Sequence, residues 1–378
     1  MKIKVKQLSR VYSKQNLYLA MLFLIIAGKI IRYTIMKETL VDTSIGHYML
    51  IDILKDNVNF SFFSETGAAG NASYIFHFLR YIGLSQYIEF EIAITLFWNL
   101  ILLGLFTRIR TMLTGYQIVF AMMSVIVLNI FDFNLAKEPI QMLYFIWLFC
   151  MILNRKYSLI KKYIAAICIL VFSALTFRLY YVLIIFFATE TFLFFVLISR
   201  SKKKFGIKKI IFIVFVLVTT YYVLLRIFQS VLPSAFAELY RVRTRQSTAA
   251  SDMRVIFHSN NLILFCVDYL LMLLRMLFPI ELLRAGPKYM AYVLYQMLVS
   301  YGVIKAVQMH SNNSKTKNLA LYIYLGFLLA SGTFEPDFGS WVRHEAVVVP
   351  LLLIINDMIK PVWEADRTMR GMRKKENR

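Results

Sequence analysis

The chain has 378 residues, 59% of them hydrophobic, with a mean hydropathy of +0.63 and a formal net charge of +22. The apolar share exceeds the roughly 45–50% of a soluble domain and is gathered into runs of near helix-spanning length, which predicts an all-α polytopic integral membrane protein. The basic balance does not call for nucleic acid: most Lys and Arg flank apolar runs, at Lys2–Lys14, Arg155–Lys162, Arg200–Lys209 and Arg367–Arg378, as cytoplasmic loops do.

In chain order, the first helix is expected over about 16–36, with a cytoplasmic N-terminus set by the basic residues before it. Lys29 and Arg32 interrupt its apolar run and no small-residue cleavage site follows, so it reads as an uncleaved helix. Residues 37–89 then form a first large external loop carrying Asp42, His47, Asp52, Asp56 and Glu65. Within it the amphipathic, aromatic stretch 74–86 suits a helix lying in the interface.

Further spans are expected at roughly 90–107, 114–131, 138–153, 161–177, 179–198 and 207–228, with loop charges alternating as the positive-inside rule requires. Arg178 alone falls outside against that rule. Residues 229–259 form an Arg-rich external loop, with Arg241, Arg243, Arg245 and Arg254 against Glu238 and Asp252. Apolar runs follow at 260–283 and 289–307, then the basic loop 311–318 and two last helices. If every run crosses there are eleven spans and the basic tail, 361–378, lies outside. If 260–287, interrupted by Asp268, Arg275 and Pro279, is re-entrant, there are ten spans and both termini are cytoplasmic; about ten to eleven spans are expected, with cytoplasmic termini in the ten-span arrangement. The whole of 1–378 reads as one membrane domain with no stretch for a soluble catalytic domain, so chemistry would take place in the bundle or on its outer face. The three cysteines, Cys150, Cys168 and Cys266, lie inside apolar runs and give no pattern for disulfides or a metal cluster.

Ionisable groups at a membrane boundary mark candidate sites. Asp42 with His47 offers a general base, or simply a solvated loop start. In Asp132–Pro139, Glu138 and Pro139 suit the first turn of a helix, whereas Lys137 opposes its dipole. Arg178, in a tight connection, needs an anion, either a structural carboxylate or a phosphate that its guanidinium fork would match. Arg241, Arg243 and Arg254 with His258 read as a solvated charged loop or as a pyrophosphate-binding arm. Glu335–Glu345, with Asp337, Arg343 and His344, reads as a salt-bridged cap or as one wall of an external active site, with Trp341 as an interface anchor.

This layout resembles the bacterial polysaccharide repeat-unit polymerases, the Wzy-type O-antigen and capsule polymerases and their exopolysaccharide relatives. The residues that carry the resemblance are Asp42 in the first external loop, Ala136-Lys137-Glu138-Pro139 opening a helix, Phe177-Arg178 between helices, the Arg-rich loop, and Gly339-Ser340-Trp341-Val342-Arg343-His344 before the last helix. The resemblance implies metal-independent glycosyl transfer, with no cofactor, at the outer face of the bacterial cytoplasmic membrane. The donor would be a chain on undecaprenyl pyrophosphate, the acceptor a lipid-linked repeat unit, and a chain-length regulator a candidate partner alongside membrane lipid.

Such a reaction needs cations for the departing pyrophosphate and a base for the acceptor hydroxyl. Lys137, Arg178, Arg241, Arg243, Arg254 and Arg343 are the candidates for the first role; His344, Glu345, Asp42 and His258 are those for the second. Two alternatives stand beside this reading. One is a glycosyltransferase using a polyprenyl-phosphate sugar; the other is a flippase or transporter for a lipid-linked glycan.

Overall fold

In the computed structural model of the chain, the described residues are 2–37, 45–55, 67–109, 115–178, 180–199, 261–310, 314–335 and 337–359, with short pieces at 60, 62, within 215–226 and within 252–257. They are helical, apart from an isolated antiparallel bridge between Asp252 and Asp337. The helices are α1 (Lys2–Thr34), α2 (Ile45–Leu54), α3 (Gly67–His77), α4 (Tyr87–Arg108), α5 (Gly115–Phe131), α6 (Glu138–Leu153), α7 (Leu159–Thr176) and α8 (Tyr181–Ser199). They continue as α9 (Leu262–Leu277), α10 (Met290–Gln308), α11 (Lys315–Phe334), α12 (Phe338–Val347) and α13 (Val349–Asp357). The expected span at 207–228, and the charged loops at 38–44 and 229–251, fall largely or wholly outside the described residues.

Local chemistry sets several helix starts. Glu89 accepts from the backbone N–H of Ser85 and Gln86 at 2.7 and 2.9 Å, closing a capping box on α4. Asn261 caps α9 and Asp337 caps α12, each through a side-chain oxygen 2.8 Å from a backbone nitrogen.

Among the described residues, three helices are long and apolar enough to cross a membrane, α4, α7 and α10; α12 and α13 qualify together as a fourth, bent by 66° at their junction. Pro350, in the first turn of α13, explains that break, since it lacks an N–H and its ring would clash with the carbonyl four residues back. The polar segment 335–345 is therefore not an exposed loop. Most of it is helix, and Trp341 is fully buried, stacked on Phe327 and donating to the carbonyl of Met276 at 3.3 Å, which corrects its expected role as an interface anchor. Expected interfacial residues 74–86 are divided between the end of α3 and a 3-10 turn over Phe78–Ile82, where Phe78 and Tyr81 are exposed.

Helix pairs approach closely where a side chain is missing. A Cβ on Gly326 of α11 would lie 2.6 Å from the Ala188 nitrogen of α8, and one on Gly28 of α1 would lie 2.9 Å from Asn129 Cβ of α5. The centre of the packing is α13, whose residues 349–356 are all buried, with α11 beside it. The outer helices show the reverse pattern and expose apolar faces, such as Leu22, Phe23, Ile26 and Ile30 on α1 and Ile92, Leu96 and Leu100 on α4. Contiguous apolar exposure of this kind fits contact with lipid.

The expected interruption at 260–287 is a helix followed by 3-10 turns. Asp268, buried, accepts from the backbone N–H groups of Ile256 and Phe257, and Arg275 pairs with Glu281 at 2.5 Å. The carbonyl of Leu277, at the end of α9, accepts from Ser300 halfway along α10. Two 3-10 turns, Ile280–Ala285 and Pro287–Tyr289, then lead into α10.

Candidate active site

Three segments far apart in sequence meet at one end of the bundle: the linker 132–137 with the first residue of α6, the connection 177–180 before α8, and the turn from α11 into α12. Their meeting follows from α12 packing against both α5 and α6. Tyr180 faces His344 with ring centroids 6.2 Å apart, and the Arg178 guanidinium lies over the Tyr180 ring at 5.7 Å.

His344 and Glu335, both buried, form the tightest polar pair here, Nδ1 to Oε1 at 2.5 Å, with the Ser340 hydroxyl 3.5 Å from the same nitrogen. A carboxylate acceptor requires the proton on Nδ1, which leaves Nε2 as the basic nitrogen. Two cations, Lys137 and Arg178, act on the imidazole, and a third, Arg343, acts on Lys137 and on Asp132. Lys137 stands in the fields of Glu138, Arg178, Arg343 and Glu335. Burial pulls its ammonium down to about 8; Glu138 opposes that pull, while Arg178 and Arg343 add to it. Among the described residues Arg178 Nε has no acceptor and Glu335 Oε2 has no donor. Burial also raises the Tyr180 phenol above its ordinary range, against the field of Arg178.

Asp132 adds a second acidic group. Its carboxylate is buried with no donor to either oxygen among the described residues. Burial, reinforced by Glu138, pushes its carboxyl well above the usual range, with Arg343 and Arg32 pulling the other way. The linker backbone around Asp132 is fixed from below. Phe133's carbonyl accepts from Lys29 and from Thr95 (3.0 Å), and that of Ile130 accepts from Arg32 at 2.8 Å. Arg32 is itself buried against Glu91 at 3.0 Å.

Of the residues expected from sequence, Lys137, Arg178, Arg343 and His344 are brought together. Glu345 is not: it faces another buried group, accepting from Tyr324 at 2.7 Å and Gln296 at 3.0 Å. Asp42, Arg241, Arg243, Arg254 and His258 lie outside the described residues. The chain beside the last two is nonetheless tied to this end, through the Asp252–Asp337 bridge and the Asp268 bonds to 256 and 257.

Sequence reasoning gave Glu138 to helix capping, placed Asp132 and Glu335 within two candidate clusters without a role of their own, left Arg32 in an interrupted run, and passed over Glu91. The available signal was the pair Lys29 and Arg32, three apart on one helix face, which needs a buried carboxylate. Among the described residues no three His, Cys, Asp or Glu side chains are grouped to hold a metal ion. Such an arrangement can hold a multiply charged anion with Lys137, Arg178 and Arg343 while His344 accepts a proton. Comparison with protein-family models, with curated proteins and with solved structures finds no match to this chain.

Proposed function

We propose that the protein is a repeat-unit polymerase of a bacterial surface polysaccharide, acting at the outer face of the cytoplasmic membrane. The observation that carries this reading is the convergence of Lys137 and Arg178 on the Glu335–His344 pair, with Arg343 acting on Lys137 beside it. In this mechanism the acceptor hydroxyl of a lipid-linked repeat attacks the anomeric carbon of the donor chain. His344 takes the hydroxyl proton, Glu335 holds the imidazole in its reactive tautomer, and the carbon–oxygen bond to pyrophosphate breaks with its electron pair passing to the leaving group. Lys137, Arg178 and Arg343 neutralise the charge that develops there, without a metal ion.

The membrane arrangement follows the same reading. From the cluster, α6 runs away for 16 residues, about 24 Å, and α11 approaches over 20 residues, about 30 Å, close to the thickness of a hydrocarbon core. The far ends of α4, α6 and α11 carry Arg108, Arg155 and Lys317, as cytoplasmic ends do. In a ten-span chain, α9 enters from the outer side and turns back through the 3-10 segments without crossing. Its start is tied to Asp337 by way of the 252–257 segment, and its end rests against the middle of α10.

Deleting the gene and resolving the lipid-linked and surface glycan by gel tests the reading. Single repeat units at the surface without long chains support polymerisation. Repeats trapped on the inner leaflet would instead mean a flippase, and an unchanged ladder would remove both.

A further inference from the structure

At the end of the bundle opposite the Glu335–His344 pair, a cavity of about 870 Å³ opens among the ends of α4, α6, α7, α11 and α13. The reading above makes no use of it. Its charged lining is Arg108, Arg155, Lys162, Lys317 and Asp357. Asp357 is committed to an ion pair with Lys317. Three cations are therefore left without a carboxylate among the described residues.

Lys162 is the decisive one. The residue has a relative exposure of 3%, and among the described residues its ammonium donates to the carbonyl of Ile152 at 2.6 Å, using one of its three protons. Arg108 reaches Cys150 Sγ at 3.4 Å, a weak acceptor. A buried, incompletely bonded ammonium beside two guanidinium groups is costly unless an anion completes it. Asn154, Ser314 and Thr316 add neutral donors to the same wall. The volume falls in the range of ligand sites, roughly 300–1,000 Å³.

We propose that this cavity binds a phosphate group. Three cations and several amide and hydroxyl donors suit phosphate oxygens, which accept from guanidinium forks in pairs. The chain's own tail is a poor occupant, since residues 360–378 hold seven Lys and Arg against three Asp and Glu. Exposed Ile160 and Ile164, two positions either side of Lys162 on α7, offer a path for an acyl chain, so the phosphate is that of a lipid headgroup or of a soluble anion.

The test uses the purified full-length protein in non-ionic detergent. Native mass spectrometry titrates phosphatidylglycerol against phosphatidylcholine, while thermal unfolding is followed with inorganic phosphate and pyrophosphate. The variants are Lys162→Gln and Arg155→Gln, with Lys55→Gln, exposed just past the end of α2, as the control. A lipid site predicts preference for phosphatidylglycerol that falls about fivefold in Arg155→Gln and Lys162→Gln but not in Lys55→Gln. A soluble-anion site predicts stabilisation by phosphate or pyrophosphate lost in the same two variants. Arg155 is exposed and its substitution leaves the fold intact, so it carries the test if Lys162→Gln does not fold. Binding of both lipids and both anions that is unaltered in Arg155→Gln would overturn the proposal.

Discussion

His344 Nδ1 and Glu335 Oε1 lie 2.5 Å apart across the turn that joins α11 to α12, nine residues apart in sequence. Both groups are buried, and the turn between them is fixed by Asp337 capping α12. The pair is thus held by backbone geometry before any substrate arrives.

Because the two act as a unit, Glu335→Gln and His344→Gln are each expected to lower polymerisation by about 10²-fold or more. The double variant should fall no further, since effects within a catalytic unit are not additive. Chain-length analysis of the single and double variants checks this, and multiplicative losses would separate the two residues.

The ammonium of Lys137, at about 8, gives the reaction a basic limb. Below that pH the side chain is charged and able to hold pyrophosphate; activity on free enzyme should fall as pH rises through about 8. In Lys137→Arg the group stays charged over the whole range. A kcat/KM profile on lipid-linked substrate should show the limb in the parent and lose it in that variant.

His310, between α10 and α11, gives a separate test of stability. Burial lowers its imidazole from 6.5 to about 4, with Tyr322 2.5 Å from Nε2. The unfolded chain therefore binds the extra proton between these values, so the stabilisation is present above 6.5 and is lost as pH falls toward 4. Thermal unfolding of the parent should weaken over that window more than that of His310→Gln.

The close helix contacts predict an order among glycine substitutions. Gly326→Ala drives a methyl to 2.6–2.9 Å from the backbone of Ile184 and Ala188 and should cost about 1–3 kcal/mol, with Gly28→Ala less severe because its nearest contacts, Asn129 Cβ at 2.9 Å and the Ile126 carbonyl at 3.2 Å, are longer. Gly104 on α4 is exposed with nothing within 4 Å, and Gly104→Ala should be neutral or stabilising by about 0.5–1 kcal/mol. Unfolding temperatures of the three variants give the order.

Much of the helix placement was legible in the sequence because apolar runs and their boundaries are local signals. The expected spans at 90–107, 114–131, 138–153 and 161–177 lie within a few residues of α4 to α7. The bend at Val348 was not legible, although Pro350 was in view, because the polar stretch before it looked like a loop. A helix rich in Arg, His and Glu can be buried only when distant segments supply partners, and those partners are visible only in three dimensions. The same reason hid Glu91, which takes its meaning from Arg32, 59 positions away. Lys137, Arg178, Arg343 and His344 were legible because each was a charge with no local explanation.

The central claim is that these cations and the His344 pair build polysaccharide chains. The most direct measurement is the glycan ladder of the deletion strain complemented with the parent gene, with Arg178→Ala or with Arg343→Ala, alongside the amount of each protein in the membrane. The account predicts long chains from the parent and only single repeat units from either variant at equal membrane level. A full ladder from both variants would contradict it.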